Sequence, residues 1–382
     1  MRVCYFGTYR AEYARNRLMI ERLRRQEIDV VECHASLWRG MEDREQVAGA
    51  GWRRPAFWWR VFCAYASLLW RYWHVGKYDV LMAGYPGQLD VPVGRILSWL
   101  RRKPLVWDVM MSIYLITLER GIDQKHPTSA RLLKSLEQFS LRLPDMLIMD
   151  TQEYADWFQE TYSVPKERIR LIPLGADDRL FTPLEMPSRD DDRFLCVYYG
   201  TFIRNHGVPT IIEAARLLVE DVSIHFELIG RGPERERVFS LAQSYHLDNV
   251  TFIDWMEETE LVQHLASTDV CLGTFGITPQ SMLTMQHKIH EGLATAKPII
   301  NGDSLVMRST LKHGEHIYLC ERENPQALAE AIRTLRENSE LRQRIARQGY
   351  QYYRDNLSLD VTANQLKKHL SLLEKRRAPP EV

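Results

Sequence analysis

The sequence predicts an α/β protein with two Rossmann-like domains that face each other across a cleft. Short β-branched runs alternate with helical stretches, which is the pattern of parallel sheets covered by helices. This alternation stops at a polar segment, residues 182–192, and then starts again. A length of 382 residues also exceeds what one hydrophobic core usually serves.

The first half begins with a strand and a helix at 11–25, and further strands follow at long intervals. The predicted strands are residues 3–6, 29–33, 80–83, 105–107 and 146–149. The segments between them are long enough for the crossover helices that parallel strands require. The segment 182–192 holds two prolines and three consecutive aspartates, so it is the predicted linker.

The second half repeats the pattern with strands at 194–199, 224–229, 250–253, 270–272 and 298–301 and helices at 208–219, 325–336 and 341–353. A last helix, 360–373, places Ala363, Leu366, Leu370 and Leu373 on one face, and this stripe must pack on something. We expect this helix to cross back to the first domain. The expected domains are therefore 1–181 and 193–356, with the crossover helix and tail at 357–382.

Charge and composition narrow the class of protein. Fifty basic and fifty acidic residues balance, and no nucleic-acid-binding motif is recognisable, so no nucleic acid partner is predicted. The first strand is followed by charged residues where a signal peptide would need an apolar stretch. The longest apolar segment, 57–73, contains two arginines and is shorter than a typical spanning helix. The expected location is the cytoplasm.

The segment 52–73 is rich in aromatic residues, with nine among 22, and residues 52–103 carry nine Lys or Arg against two Asp. This combination is typical of a peripheral protein at an anionic membrane surface. The alternative is that the rings pack in a core or a dimer interface. The residues considered for membrane contact are Trp52, Trp58, Trp59, Trp70 and Trp73.

Two glycine-rich turns follow strands of the second half. Residues 200–207 join a strand to a helix, so that backbone amides near Gly200 and the cation of Arg204 could receive a phosphate. Gly230 opens a similar turn one unit later. The alternative is that these glycines only serve tight turns.

Lys288 and Glu291 lie three residues apart in the segment 285–300, and on a helix they share a face. An ammonium for phosphate and a carboxylate for ribose hydroxyls could then reach one nucleoside diphosphate. A surface ion pair is the simpler alternative. A metal site formed by His287, His290 and Glu291 is disfavoured because their order matches no common zinc motif.

The sequence HKIHEGLATAKPII at 287–300 resembles the N-K-x-x-E-x-x-A-x-G-K-P-V-I pattern of glycosyltransferases with the GT-B fold, particularly the retaining nucleotide-sugar enzymes of family 4. Further matching segments are LIPLGAD at 171–177, YYGTFIRNHG at 198–207, IEAA at 212–215 and LIGRGP at 228–233. The resemblance implies donor contacts by Glu291 with the ribose and by Lys288 and Arg204 with the phosphates. His206 stands where the family usually has a phosphate-binding lysine.

The chain departs from the family at two positions. Thr201 replaces an arginine that often follows the first glycine, and Leu283 replaces a glutamate that grips the donor sugar. The resemblance implies that the leaving phosphate helps to deprotonate the acceptor, without a covalent nucleophile. No cofactor and no essential metal are predicted, and the co-substrate is a nucleotide-diphosphate sugar. The run Asp190 to Asp192 is interpreted as solvated linker.

The acceptor side is assigned to loops after strands of the first half. Gly7 and Thr8 follow the first strand, and Asp108 and Ser112 lie in or after the fourth. Asp108 could orient or deprotonate an acceptor hydroxyl, or it could instead cap a helix. Together with Arg204 and Lys288 it forms the predicted catalytic set.

The predicted function is transfer of a sugar from a nucleotide-diphosphate sugar to a hydroxyl, in glycan or glycolipid biosynthesis. Two alternatives stay open. The first is a nucleotide-sugar epimerase or hydrolase on the same fold, and the second is a noncatalytic partner protein that is similar to a glycosyltransferase.

Overall fold

The computed structural model describes residues 1–38, 51–185 and 193–375, together with the separate residues 43, 47 and 49. The contacts divide the chain into two units. The first contains residues 1–173 and the C-terminal segment from Thr362, and the second contains residues 174–361. Each unit has one six-stranded sheet in which all paired strands are parallel. The predicted α/β class is thereby confirmed.

The strands of the first unit are joined by helices, as parallel pairing requires. In chain order its elements are β1 (Arg2–Gly7), α1 (Ala14–Arg25), β2 (Asp29–His34), α2 (Pro55–Trp73), β3 (Val80–Ala83), α3 (Asp90–Leu100), β4 (Leu105–Met110), α4 (Ile113–Glu119), α5 (Ile122–Lys125), α6 (Pro127–Arg142), β5 (Met146–Met149), α7 (Gln152–Tyr162) and β6 (Ile169–Leu171). The strand order is β2-β1-β3-β4-β5-β6.

The second unit has the same kind of alternation. Its elements are β7 (Phe194–Tyr199), α8 (Val208–Leu217), β8 (Ile224–Ile229), α9 (Arg235–Ser244), β9 (Val250–Ile253), α10 (Glu258–Ala266), β10 (Val270–Leu272), α11 (Pro279–Leu283), α12 (His287–Ala294), β11 (Ile299–Gly302), α13 (Leu305–Thr310), β12 (Tyr318–Cys320), α14 (Pro325–Glu337) and α15 (Ser339–Tyr352). The strand order is β12-β11-β10-β7-β8-β9.

Strand β7 shows how the second sheet is buried on both faces. Cys196 and Tyr198 belong to one apolar cluster, whereas Val197 and Tyr199 belong to the other. Successive side chains of a strand point to opposite faces, so a strand covered by helices on both sides must be apolar throughout. This explains why the strand is a continuous apolar run in the sequence.

The last helix, α16 (Leu359–Lys375), belongs mostly to the first unit. Leu366, Leu370 and Leu373 pack in the same buried cluster as Val3 and other residues of the first sheet. The stripe of leucines in the sequence thus has a partner within that unit.

The boundary between the units lies nearer the N-terminus than the polar linker in the sequence. Ala176 and Phe181 are buried in a core cluster of the second unit, which places the division between residues 173 and 174. Composition alone marked 182–192, of which 186–192 lie outside the described residues. The boundaries predicted at 181, 193 and 356 stay expectations.

Candidate functional site

Two glycine turns lie together at the carboxyl ends of β7 and β8. Gly200 and Gly230 have φ angles of +132° and +134°, a region that L side chains rarely adopt. The amide of Gly200 donates to the Ile229 carbonyl at 2.9 Å, and the amide of Phe202 donates to the Arg231 carbonyl at 2.8 Å. The glycines are therefore required by the backbone and by the close approach of the two turns.

We expect Gly230→Ala to displace the Gly200 turn. A Cβ atom on Gly230 would overlap the carbonyl oxygen of Gly200, so one of the two backbones must move. The affinity for a nucleoside diphosphate should fall while the protein remains folded, which calorimetry and circular dichroism can check. Gly314→Ala is the control, since Gly314 also has a positive φ, of +71°, but no atom within 4 Å of the added Cβ. Equal affinity of the two variants would contradict the expectation.

Lys288 points into the Gly200 turn from the first turn of α12. Its Nζ atom lies 3.2 Å from the position that a Cβ would take on Gly200, and 3.8 Å from the centroid of the Tyr198 ring. The side chain is buried, and Nζ has no hydrogen-bond partner among the described residues. Burial lowers the pKa of Lys288 well below its ordinary value, and the charge of Glu291 opposes this shift. The site contains a buried amine without an acceptor.

Glu291 lies one turn further along α12 and is half-buried. The hydroxyl of Tyr199 donates to the carbonyl oxygen of Lys288 at 3.0 Å. Burial and the neighbouring Glu291 raise the pKa of Tyr199 well above its ordinary value. Tyr199 thus fixes the start of α12. This helix carries Lys288 and Glu291, the residues predicted to bind the phosphate and the ribose, on one face.

His206 is at the end of a short 3-10 turn, Arg204–His206. Its Nδ1 atom lies 2.7 Å from the carbonyl oxygen of Thr201 and 2.8 Å from the hydroxyl of Tyr198. Burial and the nearby Lys288 lower the pKa of His206 well below its ordinary value. Because a carbonyl oxygen can only accept, Nδ1 is the donor in the contact with Thr201. Arg204 is exposed at the beginning of the same turn.

The loop after β10 is held by residues that the sequence did not single out. Arg322 is buried, and its guanidinium donates to the carbonyl oxygen of Gly276 at 2.6 Å and to Ser281 Oγ at 2.8 Å. Asn301 Oδ1 accepts from the amide of Thr274 at 2.7 Å. These partners lie far apart in the sequence, so local spacing gives no signal for them.

In the first unit, Gly7 and Thr8 are held by Asp90, which the sequence also did not indicate. The carboxylate of Asp90 accepts from the amide of Thr8 at 2.9 Å, from its hydroxyl, and from the hydroxyl of Tyr65 at 2.7 Å. A Cβ on Gly7 would come within 2.6 Å of this carboxylate. Burial raises the pKa of Asp90, and its hydrogen bonds oppose the shift. Thr8 is predicted to contact the acceptor, but both its amide and its hydroxyl are bonded to Asp90 within the protein.

Asp108 forms a buried ion pair with Arg15. The Arg15 Nη2 and Nε atoms lie 2.7 and 2.8 Å from the carboxylate oxygens, and both side chains have no exposed surface. Arg15 also donates to the carbonyl oxygen of Ile172 at 3.0 Å. This position argues against a proton transfer by Asp108, because the carboxylate is already paired and closed off from solvent.

Ser112 is also buried and engaged. Its hydroxyl donates to Glu137 at 2.5 Å and accepts from the amide of Leu115 at 3.0 Å, so it caps α4. Glu137 has no exposed surface and accepts in addition from the hydroxyl of Tyr162 and the amide of Ile113. Burial raises the pKa of Glu137, against the effect of these donors. Ser112 therefore has a structural role in this unit.

The tryptophans of the aromatic segment divide into two kinds. Trp52 is half-buried, and its Nε1 donates to Ser129 Oγ at 2.8 Å. The other four are half or more exposed, and they are Trp58, Trp59, Trp70 and Trp73. In the described part of the chain, no helix has both the length and the apolar character needed to cross a bilayer.

Metal-ligating side chains do not cluster within the described residues. No group of three or more His, Cys, Asp or Glu side chains there could hold an ion. The segment of three aspartates in the linker lies outside those residues.

Two family models match consecutive parts of the chain. Residues 13–175 match the glycosyl transferase 4-like domain, and residues 185–352 match the glycosyl transferases group 1. Each half of the chain thus matches a family of glycosyltransferase domains. The resemblance predicted from the sequence is confirmed, and the second match contains both glycine turns and helix α12.

Curated relatives of the chain match at low identity. It is 27% identical over 192 residues to the lipopolysaccharide core biosynthesis glycosyltransferase LpsD of Rhizobium meliloti, over 50% of this chain and 51% of that relative. It is 25% identical over 329 residues to the D-inositol 3-phosphate glycosyltransferase of Corynebacterium urealyticum, over 74% of this chain and 75% of the relative. The match to LpsD thus spans about half of that relative's length.

Solved structures support the GT-B fold of the chain. The sucrose-phosphate synthase of Thermosynechococcus elongatus has a TM-score of 0.73 at 16% identity, covering 98% of this chain and 100% of the other. Anabaena Alr3699/HepE, solved in complex with UDP and glucose, has a TM-score of 0.67 at 16% identity, with coverages of 97% and 100%. At these identities, the likeness concerns the fold.

Proposed function

We propose that the protein transfers a sugar from a nucleotide-diphosphate sugar to an acceptor hydroxyl, with retention of configuration. The observation that carries this proposal is the buried Nζ of Lys288, which has no acceptor in the described structure and lies against the Gly200 turn. A buried amine without a hydrogen-bond acceptor is costly, so its presence is explained by an anionic ligand. HepE, which has the same fold, is solved with UDP and glucose.

In this proposal the second unit binds the donor. Lys288 donates to the diphosphate from one side, and the exposed Arg204 approaches it from the 3-10 turn. The amides near Gly200 and Thr201 complete the phosphate contacts, and Gly230 keeps the turn in place. Glu291 accepts hydrogen bonds from the ribose hydroxyls. As charge develops on the leaving diphosphate, these cations stabilise it, which makes Lys288 and Arg204 the proposed catalytic residues of this unit.

Donor binding should be coupled to proton uptake. In the free protein, burial lowers the pKa of Lys288 and of His206, whereas a bound diphosphate favours their charged forms. Affinity should therefore be level below the ligand-free pKa of Lys288 and should fall as the pH rises above it. Calorimetry in buffers of different ionisation enthalpy measures the protons taken up. An affinity independent of pH, with no uptake, would contradict this expectation.

On the acceptor side, the first unit remains the proposed location, although its four predicted residues are used internally. Gly7 and Thr8 are proposed to shape the loop after β1 through their contacts with Asp90. Asp108 and Ser112 are proposed to stiffen the end of β4 and the start of α4. No cofactor or essential metal is invoked, because the cations of the second unit can neutralise the leaving phosphate. Because Leu283 stands where the family has the glutamate that holds the donor sugar, we propose that other groups of this chain hold that sugar.

The first test is calorimetric binding of UDP, GDP, ADP, TDP and CDP to the wild type and to Glu291→Ala. The wild type should select one nucleotide, and the variant should lose affinity because it loses the ribose contact. Folded wild-type protein that binds none of the five would favour the noncatalytic partner. Product analysis with the selected nucleotide-sugar, with and without acceptor, then separates transfer from epimerisation or hydrolysis.

We further infer that the acceptor is a glycan or a lipid-linked sugar and that the protein acts in the cytoplasm, at the inner face of the membrane. LpsD is named for lipopolysaccharide core biosynthesis, a process with lipid-linked acceptors, and this chain matches half of it. The exposed tryptophans on α2 support a peripheral position.

A further inference from the structure

Helix α2 carries two apolar faces. Phe57, Ala64, Leu68 and Tyr72 are buried in the first unit, whereas a second face is exposed. We call the second face the outer stripe, and its members are spaced three or four residues apart: Trp59, Phe62, Ala66, Trp70 and Trp73. Its four aromatic side chains are between 63% and 69% exposed. A soluble surface seldom places so much contiguous apolar area in water.

The neighbouring helix α3 extends the exposed apolar surface. Tyr72 of α2 donates to the carbonyl oxygen of Leu97 in α3 at 3.2 Å, so the C-terminal parts of the two helices are in contact. At the end of α3, Trp99 and Leu100 are 62% and 71% exposed. Apolar surface therefore continues from one helix to the next.

Basic groups border this surface. Helix α2 contains no Asp or Glu, and the exposed Arg54 and Arg71 form no ion pair within the described residues. Beyond its end, an open pocket of about 730 Å³ is lined by basic and acidic side chains in a ratio of four to one: Arg2, Lys77, Arg101 and Lys103 against Asp79. Asp79 is engaged with the Lys103 ammonium at 3.2 Å, and Arg2 is paired at 2.9 Å with Asp29 outside the lining, so Lys77 and Arg101 are the lining cations without a carboxylate partner among the described residues.

The Arg101 guanidinium connects the pocket to the helices. It donates to the carbonyl oxygens of Gly76 and Tyr72 and lies over the Tyr72 ring, 4.5 Å from the centroid. The pocket is thus held rigidly beside the ends of α2 and α3, where Trp73 and Trp99 are exposed. An apolar surface with a basic pocket at its margin is complementary to the boundary between acyl chains and anionic headgroups.

We propose that the outer stripe and Trp99 dock on an anionic phospholipid bilayer, with a headgroup phosphate in the pocket of Arg2, Lys77, Arg101 and Lys103. Tryptophan rings favour the headgroup level of a bilayer, and arginine and lysine favour its phosphates. The role of this docking in reaching a lipid-linked acceptor rests on the proposed glycosyl transfer, but the docking itself does not.

A second copy of the chain fits this surface less well. A twofold dimer would place the same patch on both sides of the interface, so that the carboxylate-free, arginine-bearing helices would face each other. Like charges brought together at an interface oppose association. Anionic lipid supplies the opposite charge over the whole surface.

The test is flotation of the full chain with vesicles of phosphatidylcholine alone or with 30% phosphatidylglycerol. Wild-type protein should bind only the anionic vesicles, and added salt should weaken binding. Arg71→Glu/Lys77→Glu should reduce partitioning at least about tenfold, because each basic residue near an anionic bilayer contributes about fivefold. Trp70→Ser/Trp73→Ser should also reduce partitioning at least about tenfold, because it removes two rings that favour the headgroup level. The control variants are Trp255→Ser and Arg347→Glu, both at exposed positions of the second unit.

Wild-type protein that stays free of anionic vesicles, or double variants that bind like the wild type, would overturn the proposal. Sedimentation velocity on the same samples covers the alternative occupant: a wild-type dimer that the tryptophan variant dissociates, without vesicle binding, would assign the surface to a second copy. Nucleoside diphosphate binding by every variant is measured in parallel. It should be unchanged, so a failure of the donor site is recognised separately from a failure of docking.

Discussion

Lys288→Met is expected to abolish tight binding of the donor nucleotide while making the free protein more stable. The Nζ of Lys288 is buried with no acceptor in the described structure, and an unsatisfied buried polar group costs about 1–3 kcal/mol. Methionine fills a similar volume without that cost, so the free energy of unfolding should rise by a comparable amount. Loss of a charge-assisted hydrogen bond to phosphate should weaken nucleoside diphosphate binding about 10- to 100-fold. Denaturant unfolding and calorimetry measure the two effects.

Lys297→Met is the matched control, because Lys297 is also buried but its Nζ donates to the carbonyl oxygens of Ala266 at 2.6 Å and Thr268 at 3.1 Å. This change leaves two carbonyls without their donor, so it should destabilise the protein and leave the nucleotide affinity unchanged. Removing a functional group often makes a protein more stable and less active, which is a known trade-off. A Lys288→Met protein that is less stable and binds nucleotide normally would show that the lysine is structural.

Asp108→Asn is expected to lower the free energy of unfolding by about 3–5 kcal/mol, since removing one member of a buried ion pair leaves the other charge uncompensated. Both members, Asp108 and Arg15, are fully buried and 2.7 Å apart. The double variant Arg15→Met/Asp108→Leu should recover much of this loss, because an apolar pair needs no charge compensation. Chemical denaturation of the wild type and the two variants measures the difference.

Asp254→Asn serves as the comparison, because Asp254 also forms a two-point contact with an arginine, Arg231, but on the surface. Its replacement should change stability little, as is usual for exposed pairs. If Asp108→Asn instead unfolded like the wild type and lost only turnover, Asp108 would regain a role in proton transfer.

The residues proposed for the donor site could be selected from the sequence because they fall in two short segments. Gly200, Arg204 and His206 lie within one turn, and Lys288 and Glu291 within one helical turn, so spacing groups the residues of each segment. The contact between the two segments, Lys288 against the Gly200 turn, is seen only in the structure. Strands such as β7 were also accessible to sequence analysis, since a sheet buried on both faces requires an apolar run.

The contacts of the candidate residues in the first unit could not be predicted in the same way. Asp90 holds Thr8 across 82 positions of the chain, and Arg15 holds Asp108 across 93. Such pairs are created by the order of strands in the sheet, which no short pattern encodes. Polar residues after a strand therefore predicted an open acceptor site. In the structure, Thr8 and Asp108 are buried and hydrogen-bonded within the protein.

Helix α16 gives the chain an unusual order of assembly on the ribosome. The second unit is one continuous stretch, residues 174–361, and can fold as soon as it has left the exit tunnel. The first unit is begun earlier, but Leu366 and Leu370 of its core are synthesised only after the whole second unit. The half that is translated first is thus the half that is completed last, and a nascent chain lacking α16 exposes apolar surface that chaperones recognise.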